Sequence, residues 1–215
     1  MTRTEDFNET EIIKRILAGE KSLYELIVRR FNPFLYKVGR SYHYTHEDTL
    51  DLMQDTFIDA YRNLAAFEGR SGFKTWIIRI MLNNCYRGKE KPGFKNEIVQ
   101  DVKENSKPMF TLPGNDTDRI IQNRELGNIL ERALAGIPLD YRMVFSLREI
   151  NGLNVSETAG LLNISESNVK VRLNRAKSML RNEIEKTYSA VDLFEFNLIY
   201  CDEMVERVKR KISEL

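Results

Sequence analysis

Asp48, Asp51, Asp55 and Asp59 recur at spacings of three and four. On a helix those spacings stack the carboxylates along one side. Like charges so placed repel, so folding alone gives no reason for them. Two readings stand: a solubilising face, or a docking edge for a basic partner. Further along, the sign reverses. Residues 61–91 hold 7 Lys and Arg against 2 Asp and Glu, and residues 166–186 hold 6 against 3. The other stretches are net acidic, and the whole chain is only +1. Two short basic blocks in an otherwise acidic chain are the footprint of a protein that meets a polyanion at two places. Solvated basic helix faces would give the same count.

The first basic block contains FEGRSGFKTWIIRIMLNNCYRGKEK, Phe67 to Lys91, with the chain's only tryptophan, Trp76. With Ser71 as cap and Phe73 as the first helical residue, Thr75, Arg79, Asn83 and Tyr86 fall on one narrow stripe. Nearly everything else in the segment is apolar. The pattern predicts a mostly buried helix that shows one polar, aromatic-ended strip. A glycine-flanked loop with Arg70 precedes it, and Arg87, Lys89 and Lys91 follow. Cations interleaved with aromatics suit single-stranded DNA, whose bases stack on rings while its phosphates meet the cations. Taken alone, the segment equally allows Trp76 and Tyr86 to be ordinary core aromatics.

The second basic block follows NVSETAGLLNIS, Asn154 to Ser165. Ser156 can cap a short helix, and Ala159 is small enough for a second helix to cross closely. Asn163 tolerates a left-handed turn, Ile164 plugs the core, and Ser165 caps the next helix with Glu166 in its first turn. This is the register of a helix-turn-helix. In the second helix Val169, Leu173, Ala176 and Leu180 point inward. Ser167, Val171, Asn174, Arg175 and Ser178 point away, flanked by Asn168, Lys170 and Arg172. Short polar groups near the N-terminal end, with long cations beside them, suit a helix entering a major groove.

The elements that must carry these groups are helical. Of 215 residues, 42% are hydrophobic and 30% charged, with 5 Pro and 11 Gly. No apolar run approaches the roughly 18 residues that span a bilayer, and MTRTEDFNET lacks the apolar core of a secretory signal. No membrane insertion and a cytoplasmic location are expected. Cys85 and Cys201 read as reduced hydrophobes, and His43 and His46 as partly exposed loop or helix-end histidines rather than metal ligands. With no phosphate-binding glycine loop, no HExxH and no nucleophile setting, no catalytic residue, metal or cofactor is expected. The predicted layout is all-α: a helical domain over 8–91, a flexible linker over 92–118, a helix-turn-helix domain over 119–186 and a C-terminal extension over 187–215. Asn32–Pro33 is expected to divide two helices. In the acidic helix the expected core face is Leu50, Phe57, Ala60, Tyr61 and Leu64. Phe194, Phe196, Leu198 and Tyr200 alternate as an extended piece would. Asp202 then caps a helix with Val205, Val208 and Ile212 on one face.

The chain resembles an RNA polymerase sigma factor of the extracytoplasmic-function group of the sigma-70 family. AGE, Pro33, Leu35 and Tyr36, and the run from Asp51 to Asn84, resemble sigma domain 2. ALAGIP, Tyr141–Arg142 and ISESNVKVRLNRAKSML resemble sigma domain 4. The resemblance covers roughly residues 10–186 with order and spacing intact. It implies that Asp51, Gln54, Asp55 and Phe57 dock on core polymerase. It implies that Phe67, Gly69, Arg70, Ser71, Lys74, Trp76, Arg79 and Asn83, joined by Tyr86 and Arg87, melt and hold the −10 element. It implies that Ser167, Asn168, Lys170, Val171, Arg172 and Arg175 read the −35 element. The implied partners are core RNA polymerase at its β′ clamp and β flap, promoter DNA and an anti-sigma factor. There are departures. Asp55 stands where Glu is usual, Asn168 and Val171 where Thr and Ser are usual, and Leu82 where Arg is common. The alternative is a helix-turn-helix regulator that binds duplex DNA without entering the polymerase.

Overall fold

The computed structural model describes residues 8–90, 127, 129–187 and 198–213, and every regular element among them is helical. The expected linker, 92–118, and the start of the second domain lie outside the described residues. Helix α1 is Glu9–Leu17, opened by Asn8, whose side chain accepts from the Thr10 N–H at 3.1 Å. Glu9 and Glu11 in its first turn and Lys14 and Arg15 in its last suit the helix dipole. It buries Ile12, Ile13 and Ile16.

Helix α2, Tyr24–Ser41, runs straight through Pro33. The expected break does not occur. Ile27, Phe31, Leu35 and Val38 form one buried seam on both sides of the proline. That continuous burial outweighs the missing backbone hydrogen bond, which costs ~3 kcal/mol in an isolated helix. Helix α3 is His46–Arg62; Thr45 caps it by accepting from the Asp48 N–H at 3.1 Å. Its inward face is Thr49, Met53, Thr56, Phe57 and Ala60. Leu50 and Tyr61, expected in the core, are exposed. The threonines explain the shift in phase. Each satisfies its buried hydroxyl by donating to a carbonyl four residues back, Thr45 O and Leu52 O, at 2.7 Å.

Helix α4, Phe73–Glu90, packs on α2 and α3 through Phe73, Ile77, Ile78 and Met81. At Gly39 of α2 a side chain would meet Thr49 Cγ2 at 2.6 Å, so α2 and α3 approach closely only because nothing is there. The second unit comprises α5 (129–135), α6 (Leu139–Phe145), a π-helical turn at Ser146–Ile150, α7 (Val155–Leu162) and α8 (Glu166–Thr187). Val144, Ala159 and Val169 form its own small core. Met143, Leu147 and Leu153 instead join the core of the first unit. The two units are therefore closed on each other. Ser41 Oγ donates to Ser146 Oγ at 2.7 Å, both buried, and the partly buried Arg40 pairs with the buried Glu131 at 2.5 Å.

Helix α9, Leu198–Ser213, begins five residues earlier than a cap at Asp202 would place it. Leu198 and Tyr200 are helical rather than extended; Phe194 and Phe196 lie outside the described residues. In the sequence Leu198, Cys201, Val205, Val208 and Ile212 recur at three-four spacing, so the helical period reaches back past Asp202. Val205, Val208 and Ile212 are exposed.

His43, just past α2, adopts a left-handed backbone with φ 66°. Burial, and then the charges of Arg142, Lys89 and Arg40, push its pKa down from 6.5 to about 4. Between those values the unfolded chain binds the proton and the folded chain does not. Stability is therefore expected to fall as pH drops through that window. Asparagine tolerates the same φ and does not titrate. His43→Asn should flatten the pH dependence, read as the shift of the denaturant midpoint between about pH 7 and about pH 5.

Candidate nucleic-acid and docking interfaces

The outward face of α3 carries Asp51, Gln54 and Asp55, all exposed. Phe57, expected with them, is only 7% exposed and packs in the core. It supports the helix and offers no docking atom. In its place Leu50, at 45% exposure, and Ile58, at 40%, flank the carboxylates. Leu50, Gln54 and Ile58 are four apart, so an apolar rib runs beside the acidic one. The alternation was present in the sequence. Leu50 reads as a core residue in sequence because Thr49, which takes the inward position beside it, is polar.

The loop before α4 turns at Gly69, whose φ of 71° favours a residue without a side chain. Phe67 and Trp76 are half-buried. The Phe67 ring lies 5.2 Å from Phe73 and 5.3 Å from Trp76, and Phe73 lies 5.1 Å from Phe31. Much of both rings is spent tying the loop to α4 and α2. Arg70 and Ser71 are exposed; Arg70 pairs with Glu68, and Ser71 Oγ donates to Gly72 O at 3.4 Å. Leu82 is buried, so the position where Arg is common makes no outward contact. With α1 and α2 this loop lines an open pocket of about 960 Å³, whose charged lining includes Glu9, Lys14, Arg29, Arg30 and Glu68. The contribution of α1 had no local signal; it arises from a contact distant in sequence.

The expected strip on α4 is only partly open. Arg79, Asn83, Tyr86 and Arg87 are exposed, and the Tyr86 ring sits edge-on to Tyr42 at 6.1 Å. Arg87 lies 3.7 Å from Asp59. Thr75 is only 4% exposed, because its hydroxyl donates to Glu157 Oε1 of α7 at 2.7 Å. Lys74 Nζ sits 3.9 Å from the Phe34 ring centre and donates to the Asn151 carbonyl. Burial pushes its pKa down.

In the second unit Asn163 has φ 53°, and Ser165 Oγ accepts from the Asn168 N–H at 3.2 Å, as expected for the turn and the α8 cap. Helix α7 starts differently. Asn154, not Ser156, caps it, and Glu157 completes a reciprocal pair by accepting from the Asn154 N–H at 2.8 Å. Val169 and Ala176 are fully buried. Ser167, Lys170, Val171 and Arg175 are exposed on the outer face of α8. Asn168 and Arg172 are half-buried and bonded to each other at 3.1 Å, and Arg172 also pairs with Asp140 at 3.2 Å. Arg175 reaches the Tyr141 hydroxyl at 3.4 Å.

This geometry has a counterpart among known families. The profile described as Sigma-70 region 2 matches residues 27–91, and that described as Sigma-70, region 4 matches residues 127–180, together more than half of the chain. The chain belongs to the sigma-70 family. Relatives of this sigma factor include the ECF RNA polymerase sigma-E factors of Escherichia coli K12 and Salmonella typhimurium LT2. Each is 27% identical over 189 residues, covering 85% of this chain and 97% of the relative. The Haemophilus influenzae protein of the same name is 27% identical over 187 residues, covering 84% and 97%. Two solved structures share the fold. CnrH in complex with the cytosolic domain of CnrY has a TM-score of 0.56 at 22% identity, covering 82% of this chain and 97% of that one. The sigma factor RpoE in complex with the anti-sigma factor NepR from Bartonella quintana has a TM-score of 0.58 at 22% identity, covering 75% and 96%. The protein is thus an alternative sigma factor of the extracytoplasmic-function group, an initiation factor acting with RNA polymerase. Among the described residues no helix is long and apolar enough to cross a membrane.

Proposed function

We propose that this sigma factor divides promoter recognition and polymerase docking among three surfaces. The outward face of α3 docks on the β′ clamp of core polymerase through Leu50, Asp51, Gln54, Asp55 and Ile58. The Phe67–Gly72 loop and the outer strip of α4 take the −10 strand, with Arg70, Ser71, Lys74, Arg79, Asn83, Tyr86 and Arg87 as contacts and Phe67 and Trp76 holding the loop. The outer face of α8 reads the −35 element through Ser167, Lys170, Val171 and Arg175, with Asn168 and Arg172 at its flank. Polymerase supplies the chemistry, and the protein works in the cytoplasm alongside it. Since RpoE was solved with an anti-sigma factor, a partner of that kind is proposed here too.

The observation that carries this reading is the mixed acidic and apolar exposed face of α3, for which a regulator that only binds duplex DNA has no use. The test is transcription by core polymerase and the purified chain on a promoter library. Run-off RNA from a subset of templates is expected; RNA from none would overturn the reading. Within it, Arg175→Ala should weaken binding at −35 by ~1–3 kcal/mol if the guanidinium reaches a base edge. Footprinting over −35 checks this, and protection equal to wild type would remove Arg175 from the reading face.

A further inference from the structure

We infer that α9 is a self-pairing helix, through which two copies of this chain join in antiparallel fashion. Neither promoter recognition nor polymerase docking, as proposed above, uses this element. Every described side chain on it, from Met204 to Ser213, is exposed, with Val205 at 48%, Val208 at 47% and Ile212 at 64%. A helix of 16 residues with β-branched Val and Ile on its apolar side is marginal alone in water. Covering that side is what would hold it. The apolar side is also regular. In the sequence Leu198, Cys201, Val205, Val208, Ile212 and Leu215 alternate steps of three and four without a break, as the a and d positions of a heptad repeat do. Between Val205 and Ile212 every other position except Val208 is charged. A stripe that narrow matches a second helix, whereas a helix lying on a globular core shows a wider one.

Charge selects the second copy and its direction. Asp202, Glu203 and Glu206 occupy the first half of this stretch, and Arg207, Lys209, Arg210 and Lys211 the second. Two copies running the same way would set acid beside acid and base beside base. Running opposite ways, each acidic half lies along the other's basic half, and the helix dipoles oppose each other as well. The heptad register agrees. With Val205 opposite Val208 of the second copy, Cys201 falls opposite Ile212 and Leu198 opposite Leu215, so every apolar position meets an apolar partner. Asp202 and Lys209 then hold the flanking e positions and face each other across the seam, twice by two-fold symmetry. Lys209 pairs with Glu206 of its own helix at 3.1 Å, but both side chains are largely exposed, so exchanging that partner for Asp202 costs little. On the other flank the stem of Lys211 covers Met204, which is 58% exposed in the single chain.

The test is sedimentation equilibrium of the full-length chain between about 1 and about 200 μM, a span that brackets a weak dimer. The average mass is expected to climb from that of one chain, 25.2 kDa, toward twice that value. Val205→Glu with Val208→Glu should hold it at one chain throughout; both sites are exposed, so this variant is expected to melt like wild type. A wild-type chain that stays single at the highest concentration overturns the inference, and so does a dimer that survives the double substitution. Direction is read by a disulfide formed at that same concentration. Ile212→Cys sets a thiol opposite Cys201 of the second copy, and mild oxidation should give a covalent dimer whose joined peptides carry positions 201 and 212. On one helix those positions lie about 16 Å apart, too far to join within a chain. Cys85 is buried and its thiol is pushed up to about 12, so it stays out of the exchange. An Ile212→Cys chain that does not join, or a wild-type chain that joins Cys201 to Cys201, would overturn the antiparallel pairing.

Discussion

Reversing Asp51 and Asp55 together to lysine is expected to lower affinity for core polymerase by about a hundredfold while leaving −35 duplex binding unchanged. Both side chains are exposed on α3, one turn apart, between Leu50 and Ile58. Among the described residues neither carboxylate makes a hydrogen bond or ion pair that reversal would remove. The inward face of the same helix is carried by Thr49, Met53, Thr56, Phe57 and Ala60, which the variant does not touch. Reversal at a protein interface does more than delete an attraction; it adds a like-charge opposition, costing several kcal/mol when charges are brought close. Two such changes at a partly hydrated rim come to ~2–4 kcal/mol, and 1.4 kcal/mol is tenfold. The measurement is competition with the wild-type chain for core polymerase, alongside binding to a −35 duplex. Undiminished competition would remove α3 from the docking surface. Leu50→Ser should act in the same direction by a smaller amount, since its side chain is already 45% exposed. Phe57→Ala would instead lower the stability of the chain, because its ring is in the core.

Much of this arrangement was legible because it is written in short-range rules. Thr45 before an acidic first turn, Asn163 at a left-handed corner and Ser165 before α8 are each decided within four residues. The inward seam of Val169 and Ala176 is decided by the helical period alone. The misplacements share a different cause. Thr49 and Thr56 look polar but bury their hydroxyls against their own helix, which shifted the apparent core face onto Leu50. Pro33 looks like a stop, but the seam from Ile27 to Val38 is long enough to override it. Ser156 and Asn154 are both able to cap; only the glutamate three residues after Asn154 separates them. The contact of Thr75 with Glu157 spans 82 positions, and no local pattern foretells it. A residue can therefore be named correctly as part of a strip, while its neighbour across the fold decides whether the strip is open.

Arg142→Met is expected to cost ~3–5 kcal/mol of folding stability, the largest single-residue effect in the second unit. The guanidinium is only 3% exposed, and its partners among the described residues are carbonyl oxygens. Nε donates to Ser41 O at 2.6 Å, and Nη1 reaches Ile137 O at 3.0 Å, Ala135 O at 3.3 Å and Leu134 O at 3.4 Å. The last three lie at and just beyond the end of α5, where a helix leaves carbonyls without backbone donors and carries its negative pole. Burial lowers the arginine's pKa to about 10, so the side chain remains charged at neutral pH and is held there by that ring of acceptors. Methionine fills a similar volume but satisfies none of them, and each buried carbonyl then bears its desolvation cost. Arg142→Lys separates the two contributions. It keeps a charge, but a compact ammonium cannot span the Ser41 carbonyl on one side and the α5 carbonyls on the other. Its loss should fall between wild type and methionine. The denaturant midpoint at constant slope reads both variants, and a loss under about 1 kcal/mol for methionine would show that water satisfies the carbonyls instead. Because Ser41 belongs to the first unit, the same substitution removes one clasp between the units. Arg142→Met should therefore also loosen the closed form under conditions where the chain is still folded.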